Sequence, residues 1–197
     1  TIYTWCRTKV VNRAREESLL QDYGMDGKFN VIFAGSMGKA QNMEVVLDAA
    51  EKLLNNKDIK FNFFGGGTEV PRLEEDARKL DLNNVAFHGL IGTETMAKVM
   101  AMGDVLLVHL HDSIISRLWI PSKVQDYFVS GRPIISNIPG GTADVMTRSQ
   151  AGINVTPGDV DELSNAISKI YNMPVEKRNE MGRKGAEFYR DNMSIEI

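Results

Sequence analysis

The chain has 197 residues, 43% hydrophobic and 25% charged, with a net charge of −3 and one cysteine. That composition fits one compact globular domain, large enough to bury a core without staples. It excludes nucleic-acid wrapping by charge alone and an intrachain disulfide, and no apolar run approaches the ~20 residues of a membrane span.

Residues 1–28 read as an irregular lead-in without a signal-peptide pattern. Tyr3, Trp5 and Cys6 suit a short extra strand or the stub of an inter-domain linker. With no base near it in sequence, Cys6 reads as a small half-buried residue, not a nucleophile. The start at Thr1 rather than Met is the mark expected of a piece of a longer protein.

From residue 29 onward, short apolar runs alternate with helical patterns. "FNVIFAG" (29–35) is a strand ending at glycine. "NMEVVLDAAEKLL" (42–54) puts Met43, Val46, Leu47, Ala50 and Leu54 on one helical stripe. "IKFNFFGGG" (59–67) is the next strand, and "PRLEEDARKL" (71–80) a helix opened by proline. "NVAFHG" (84–89) follows as a strand, then "TETMAKVMAMG" (93–103) as a helix with Thr93 at its N-cap. "DVLLVHL" (104–110) is a buried strand, 121–130 an amphipathic helix and "RPIIS" (132–136) a strand. A short turn of helix near 142–146, the strand "AGINVT" (151–156) and polar helices near 159–172 and 174–190 complete the chain.

The strands are near-continuously apolar, so both faces should be covered. Right-handed crossovers then predict an α/β fold: one doubly wound, Rossmann-like parallel sheet of about six strands within 29–197. Ligands of such sheets bind beyond the strand carboxyl ends. Those ends are 35–39, 65–68, 88–91, 109–112 and 137–141. Glycine clusters at three of them predict close backbone approach.

"GSMGK" (35–39) lacks Walker spacing, and in "GGGTEV" (65–70) the third glycine falls too early for a dinucleotide fingerprint. Each is read equally well as a tight strand-to-helix turn. Asp159 and Asp161 follow Pro157-Gly158 and open a helix, so they read as caps more than as a metal-binding Asp-x-Asp. His109 and His111 share a strand face, with Asp112 the only further ligand nearby; they read as pocket lining rather than a metal site.

The helix at 121–130 offers most. Pro121 suits the first helical position, leaving the amides of Ser122, Lys123 and Val124 free for an anion. Val124, Tyr127 and Phe128 should face the core, while Ser122 and Asp126, four apart, share the opposite face.

Taken together, "VIFAGSMGKAQNMEVVLDAAEKL", "FNFFGGGTEVPRLEEDARKLDLNNVAFHGLI", "AMGDVLLVHL", "SGRPIISNIPGGTADVM" and "AGINVTPGDVDELSNAI" resemble the group 1 family of retaining glycosyltransferases. The match covers 28–190 and only the C-terminal, donor-binding half of the family's GT-B fold. Its variant "HLHDS…IPSKVQDYFVSGRPII" is most similar to the branch making bacterial surface polysaccharides such as O-antigen, including fucosamine-type amino-deoxysugar transferases. The resemblance implies a UDP-sugar donor, no cofactor and no metal. It implies an acceptor domain elsewhere in the polypeptide carrying a catalytic histidine, and a saccharide or lipid-linked acceptor. Nucleic acid is not an expected partner. The expected location is the cytoplasm, or the cytoplasmic face of the inner membrane.

The resemblance also assigns residues. The second of two family glutamates, implied to hold the ribose, falls on Asp126; the first falls on Leu118. Ser36 stands where the family has an arginine, and the lysine that follows aligns with Gln41, so the cation is expected to be Lys123, with Lys39 as rival. Gly35, Ser36, Gly66, Gly67, Pro121, Ser122, Gly140 and Gly141 are expected on the donor's phosphate side. His88, Leu90 and Ile91 are expected at the base, with His109 lining the pocket. A separate donor-binding subunit of a two-chain transferase and a UDP-sugar 2-epimerase-like domain remain alternatives; a plain dinucleotide fold is disfavoured by the missing fingerprint.

Overall fold

The computed structural model describes residues 15–194. One sheet holds six strands, β1 (Phe29–Ala34), β2 (Ile59–Phe64), β3 (Val85–Gly89), β4 (Val105–Val108), β5 (Ile134–Ser136) and β6 (Gly152–Asn154). Their order is β3-β2-β1-β4-β5-β6, and every pairing is parallel. This is the doubly wound sheet that the apolar runs predict. Strand β1 is buried at all six positions. Its alternate side chains serve two cores, as a two-residue period requires. Val31 and Phe33 pack with α2 (Glu44–Lys52), α3 (Val70–Lys79) and α8 (Val160–Tyr171) on one face. Ile32 and Ala34 pack with α4 (Thr93–Met102), α6 (Ser122–Ser130) and α7 (Gly141–Ser149) on the other. The long α9 (Val175–Asn192) lies across α6 and brings Phe188 to 5.9 Å from Phe128.

Tyr3, Trp5 and Cys6 lie outside the described residues. Where irregular chain was expected, Glu17–Asp22 forms the short α1, and its Leu20 joins the second core. Thr93 is the first residue of α4, with Gly92 at the N-cap instead. Helix α7 runs for nine residues, not one turn, because burial of Val145 and Met146 overrides a glycine- and threonine-rich start. Helix α5 (Ile114–Leu118) was not anticipated; it is nucleated by a reciprocal cap in which Ser116 N–H donates to Ser113 Oγ at 3.1 Å and Ser113 N–H to Ser116 Oγ at 2.9 Å. Asp159 does cap its helix, accepting from Glu162 N–H at 2.8 Å, and Asp161 pairs with Lys52.

The glycine clusters have a structural cause. The parallel ladder continues beyond the strands: Gly35 N–H donates to Phe64 O at 2.8 Å, Gly65 N–H to Gly89 O at 2.7 Å and Met37 N–H to Gly66 O at 2.8 Å. A Cβ on Gly65 would lie 1.9 Å from Gly35 O, and one on Gly67 2.1 Å from Met37 O. The two loops touch backbone to backbone.

Gly65→Ala should therefore be costly, since its φ of +134° is itself strained for an L side chain. Overpacking and the backbone conformation together predict a loss of about 3 kcal/mol or more in urea unfolding. Gly92→Ala, whose Cβ meets nothing within 4 Å, should lose less than about 1 kcal/mol.

Candidate functional site

The chain departs in opposite directions on the two sides of β1, because β2 flanks one edge and β4 the other. The carboxyl ends of β1 and β4 thus form the switch-point crevice where such sheets hold ligands. Helix α6 is fixed over it by Tyr127. This fully buried phenol accepts from Ala34 N–H at 3.0 Å and lies 3.3 Å from Leu107 O, tying α6 to the ends of both strands. Burial pushes its pKa well above the usual range, so it stays a donor.

The loops at the crevice are stitched together. His111 N–H donates to Ala40 O at 2.7 Å, and His109 Nδ1 meets Gln41 O at 2.8 Å. The buried Asn137 amide accepts from Leu110 N–H and donates to Leu110 O, both at 2.8 Å. The floor of the crevice is therefore rigid by construction.

Lys123 is the charge the crevice contains. Its helix packs on one face of the sheet, yet its Nζ sits 3.8 Å above the ring centre of Phe33, which belongs to the other face. The side chain crosses the sheet's carboxyl edge beside Gly35; a Cβ there would stand 2.6 Å from Nζ and 2.8 Å from Cε. Burial against this apolar wall lowers the lysine pKa to about 7, with the nearby Asp126 carboxylate opposing the fall. Among the described residues no carboxylate forms an ion pair with Nζ. Ser36, the next residue after Gly35, is exposed. Lys39 is an exposed residue at the head of the short 3-10 turn Lys39–Gln41.

Several expected positions are corrected. Pro121 is the N-cap of α6, not its first helical residue, with φ −58° and ψ 138°. The Val124 amide is spent on Pro121 O at 3.0 Å, leaving those of Ser122 and Lys123 without an acceptor among the described residues. Ser122 is exposed, Asp126 half-buried, and Val124, Tyr127 and Phe128 are buried as expected. His109 is 2% exposed and its pKa falls to about 4 through burial, so it is neutral, tied to Gln41 and closed off rather than lining an open pocket. His88 stacks on Phe64 at 4.3 Å, and its Nε2 meets Asn62 Oδ1 at 3.0 Å; burial takes its pKa to about 4. Its ring continues an internal polar row through Asn62 to Asn30.

Gly66 abuts Leu90, which is 84% exposed, and Ile91 is half-buried beside them. A Cβ on Gly140, whose φ is +70°, would lie 2.1 Å from Arg117 O, and one on Gly141 3.5 Å from Ile120. These two glycines seat α5 and the start of α6 against α7. On the rim, Ile114, Ile115 and Leu118 are 78%, 74% and 79% exposed. Among the described residues no three His, Cys, Asp or Glu side chains converge as metal ligands, and no helix is long and apolar enough to cross a membrane. Asp112 pairs with Arg117 at 2.6 Å.

Sequence reasoning missed Phe33, Tyr127's polar role and Asn137. A buried tyrosine needs a partner for its hydroxyl, which was the available signal for Tyr127. Tyr127→Phe should cost about 1–3 kcal/mol in denaturant unfolding, because the buried Ala34 N–H loses its acceptor. A loss well under that range would mean another acceptor replaces the phenol.

The sequence matches the family model described as glycosyl transferases group 1 over residues 28–173. It is 27% identical over 173 residues to the putative colanic acid biosynthesis glycosyl transferase WcaI of Escherichia coli, covering 86% of this chain and 42% of that protein. It is 24% identical over 176 residues to alpha-D-kanosaminyltransferase of Streptomyces kanamyceticus, covering 88% of this chain and 44% of that one. Among solved structures it superposes on Anabaena HepE, crystallised with UDP and glucose, with a TM-score of 0.73 and 18% identity, covering 88% of this chain and 46% of HepE. The chain therefore spans less than half the length of these relatives, and the structural match bears on the fold.

Proposed function

The chain belongs to the group 1 glycosyltransferases, and on that premise we propose that it binds the UDP-sugar donor, with the diphosphate on the start of α6. One observation carries this reading: the Lys123 amine is held at the switch point, over Phe33 and beside Gly35, with no carboxylate paired to it among the described residues. An unneutralised amine at the ligand edge of a parallel sheet is complementary to an anion. The two open amides of α6 add donors, and the helix dipole adds field. The UDP held by the structurally similar HepE supports the choice of anion.

In this reading Asp126, one turn along α6, accepts from the ribose hydroxyls, and the backbone of 88–91 meets the base. During transfer the bond from the sugar carbon to the diphosphate oxygen breaks, and negative charge grows on that oxygen. Lys123 interacts most strongly when that charge is largest, which is differential stabilisation of the transition state without a metal. Retention of anomeric configuration and a donor of the amino-deoxysugar type follow from the family resemblance, with surface polysaccharide as the product class. The acceptor and the catalytic histidine belong to a second domain, so residues 1–197 bind the donor but do not transfer it. The 2-epimerase alternative is weakened, since His109 is closed off and Asp112 is held by Arg117, which leaves the exposed His111 of that cluster.

The pH dependence of binding tests this assignment. In the free chain Lys123 titrates near 7, and a bound diphosphate must raise that pKa. UDP-glucose affinity should be greatest below pH 7. It should fall about tenfold per pH unit above 7, until the raised pKa of the bound state is reached. Isothermal titration of the chain from pH 6 to 9 reads this directly. Lys123→Ala should weaken binding at pH 6.5 by about 10–100-fold, a charged hydrogen bond's worth, and flatten the profile. Lys39→Ala should keep it. A Lys123→Ala variant with the wild-type profile overturns the assignment.

In the full-length enzyme Lys123→Ala should lower turnover by about 10²–10³-fold, the scale of one lost oxyanion-type donor, in a radiolabelled sugar-transfer assay. Turnover abolished by Lys39→Ala and kept by Lys123→Ala would move the cation to the first strand-to-helix turn.

A further inference from the structure

A second concentration of positive charge lies at the opposite, amino edge of the sheet. Arg132 stands just before β5, Asp104 just before β4, and Phe29 opens β1. The first turn of α9 covers this edge, because Gly182 lets that helix lie against Gly131, where a Cβ would be 1.9 Å from the carbonyl oxygen. Between these elements is a cavity of about 260 Å³ lined by Arg15, Arg132 and Arg178, with Asp104 and Asn179. That is just below the usual small-molecule range of ~300–1,000 Å³.

The charges in the cavity do not balance. Both oxygens of Asp104 are committed, one to Arg15 at 2.6 Å and the other to Asn30 N–H at 2.8 Å. Arg178 lies over the Phe29 ring at 5.3 Å and forms no ion pair among the described residues. Arg132 has a buried Nε with no hydrogen-bond partner among the described residues. Burial and the neighbouring Arg15 lower its pKa, and Asp104 only partly compensates. A guanidinium does not deprotonate at physiological pH, so this destabilisation persists in the empty cavity. The chain ahead of Arg15 offers no relief in sequence: residues 1–14 contain Arg7, Lys9 and Arg13 and no acidic residue.

We propose that Arg15, Arg132 and Arg178 form a second anion site, separate from the donor crevice, for a small phosphoryl dianion. Three guanidinium groups approaching from the start of α1, the start of β5 and the first turn of α9 suit a tetrahedral group with several oxygens better than a planar carboxylate, which one arginine can satisfy. The first two amides of α9, ahead of the bonds that Lys177 and Arg178 make to Pro174 O, open toward the same end. The cavity's size admits an inorganic phosphate or a terminal phosphate, and not a nucleotide.

Thermal unfolding of the chain in phosphate-free buffer at constant ionic strength tests this. Orthophosphate at ten or more times its Kd should raise Tm by about 2–4 °C over matched potassium chloride, and succinate should not. Arg132→Gln should abolish the response while leaving the ligand-free Tm close to or above wild type, since it removes a half-buried charge whose Nε has no partner among the described residues. Arg178→Gln should abolish the response as well, which keeps the test intact if the first variant folds poorly. Lys123→Ala should retain it. The site is overturned by a wild type that responds no more to phosphate than to chloride, or by a response that both arginine variants keep. A response that Lys123→Ala abolishes would place the anion in the donor crevice instead. An equal response to succinate overturns the phosphoryl assignment.

Discussion

Gly35 and Gly65 meet with no space for a side chain between them, and this contact sets the shape of the carboxyl edge of the sheet. Because the β1 and β2 ladder runs on through these glycines, the two loops lie flush and do not splay. The flush edge leaves a lane beside the Gly35 Cα, and Lys123 occupies it. A β-carbon in either place would obstruct the loops or the lysine. The glycines act on the site by letting the protein's own parts come close, which is a different task from letting a ligand approach backbone.

The lysine is held by unusual means. Most buried charges are paired; this half-buried one is placed over an aromatic face, with the Asp126 carboxylate favouring its charge. The quadrupole of the Phe33 ring attracts the ammonium but does not neutralise it. A paired lysine would be a more stable cation and a poorer anion receptor, because an incoming phosphate would first have to displace the carboxylate. Tyr127 and Asn137 make the arrangement rigid, so the energy of meeting an anion is not diverted into ordering loops.

The fold was legible because the strands are largely apolar runs and the first three stop at glycine. The site was legible in part, for reasons that differ by residue. Helical spacing placed Val124, Tyr127 and Phe128 in the core and Asp126 on the far face. It could not show that Lys123 reaches across the sheet edge to Phe33, since a helical wheel ends at the helix surface. Proline is compatible with both the N-cap and the first turn, so the sequence left the count of open amides one too high. His88 and His109 sit at strand ends, where polarity looks functional; the structure spends one on Asn62 and the other on Gln41, partners far away in sequence. Helix α5 escaped notice because its apolar residues face outward and its nucleus is two serines. The arginine cluster was invisible for a topological reason: Arg15, Arg132 and Arg178 come from the starts of α1, β5 and α9, and only the fold makes them neighbours.

The two cationic sites differ in a way their side-chain chemistry dictates. The net charge of −3 is spread over a surface whose sheet edges are both locally positive, which is how an acidic protein can still attract anions. At the carboxyl edge the charge is an amine whose proton is marginal near neutrality, so under the proposed donor-binding reading occupancy and protonation would be coupled and the site would strengthen as its ligand arrived. At the amino edge the charges are guanidiniums that cannot shed protons, so the field there is constant and the empty state bears the repulsion. A lysine suits a group whose negative charge changes during a reaction, because the response can grow with that charge. Arginines suit a group that is bound and left unchanged.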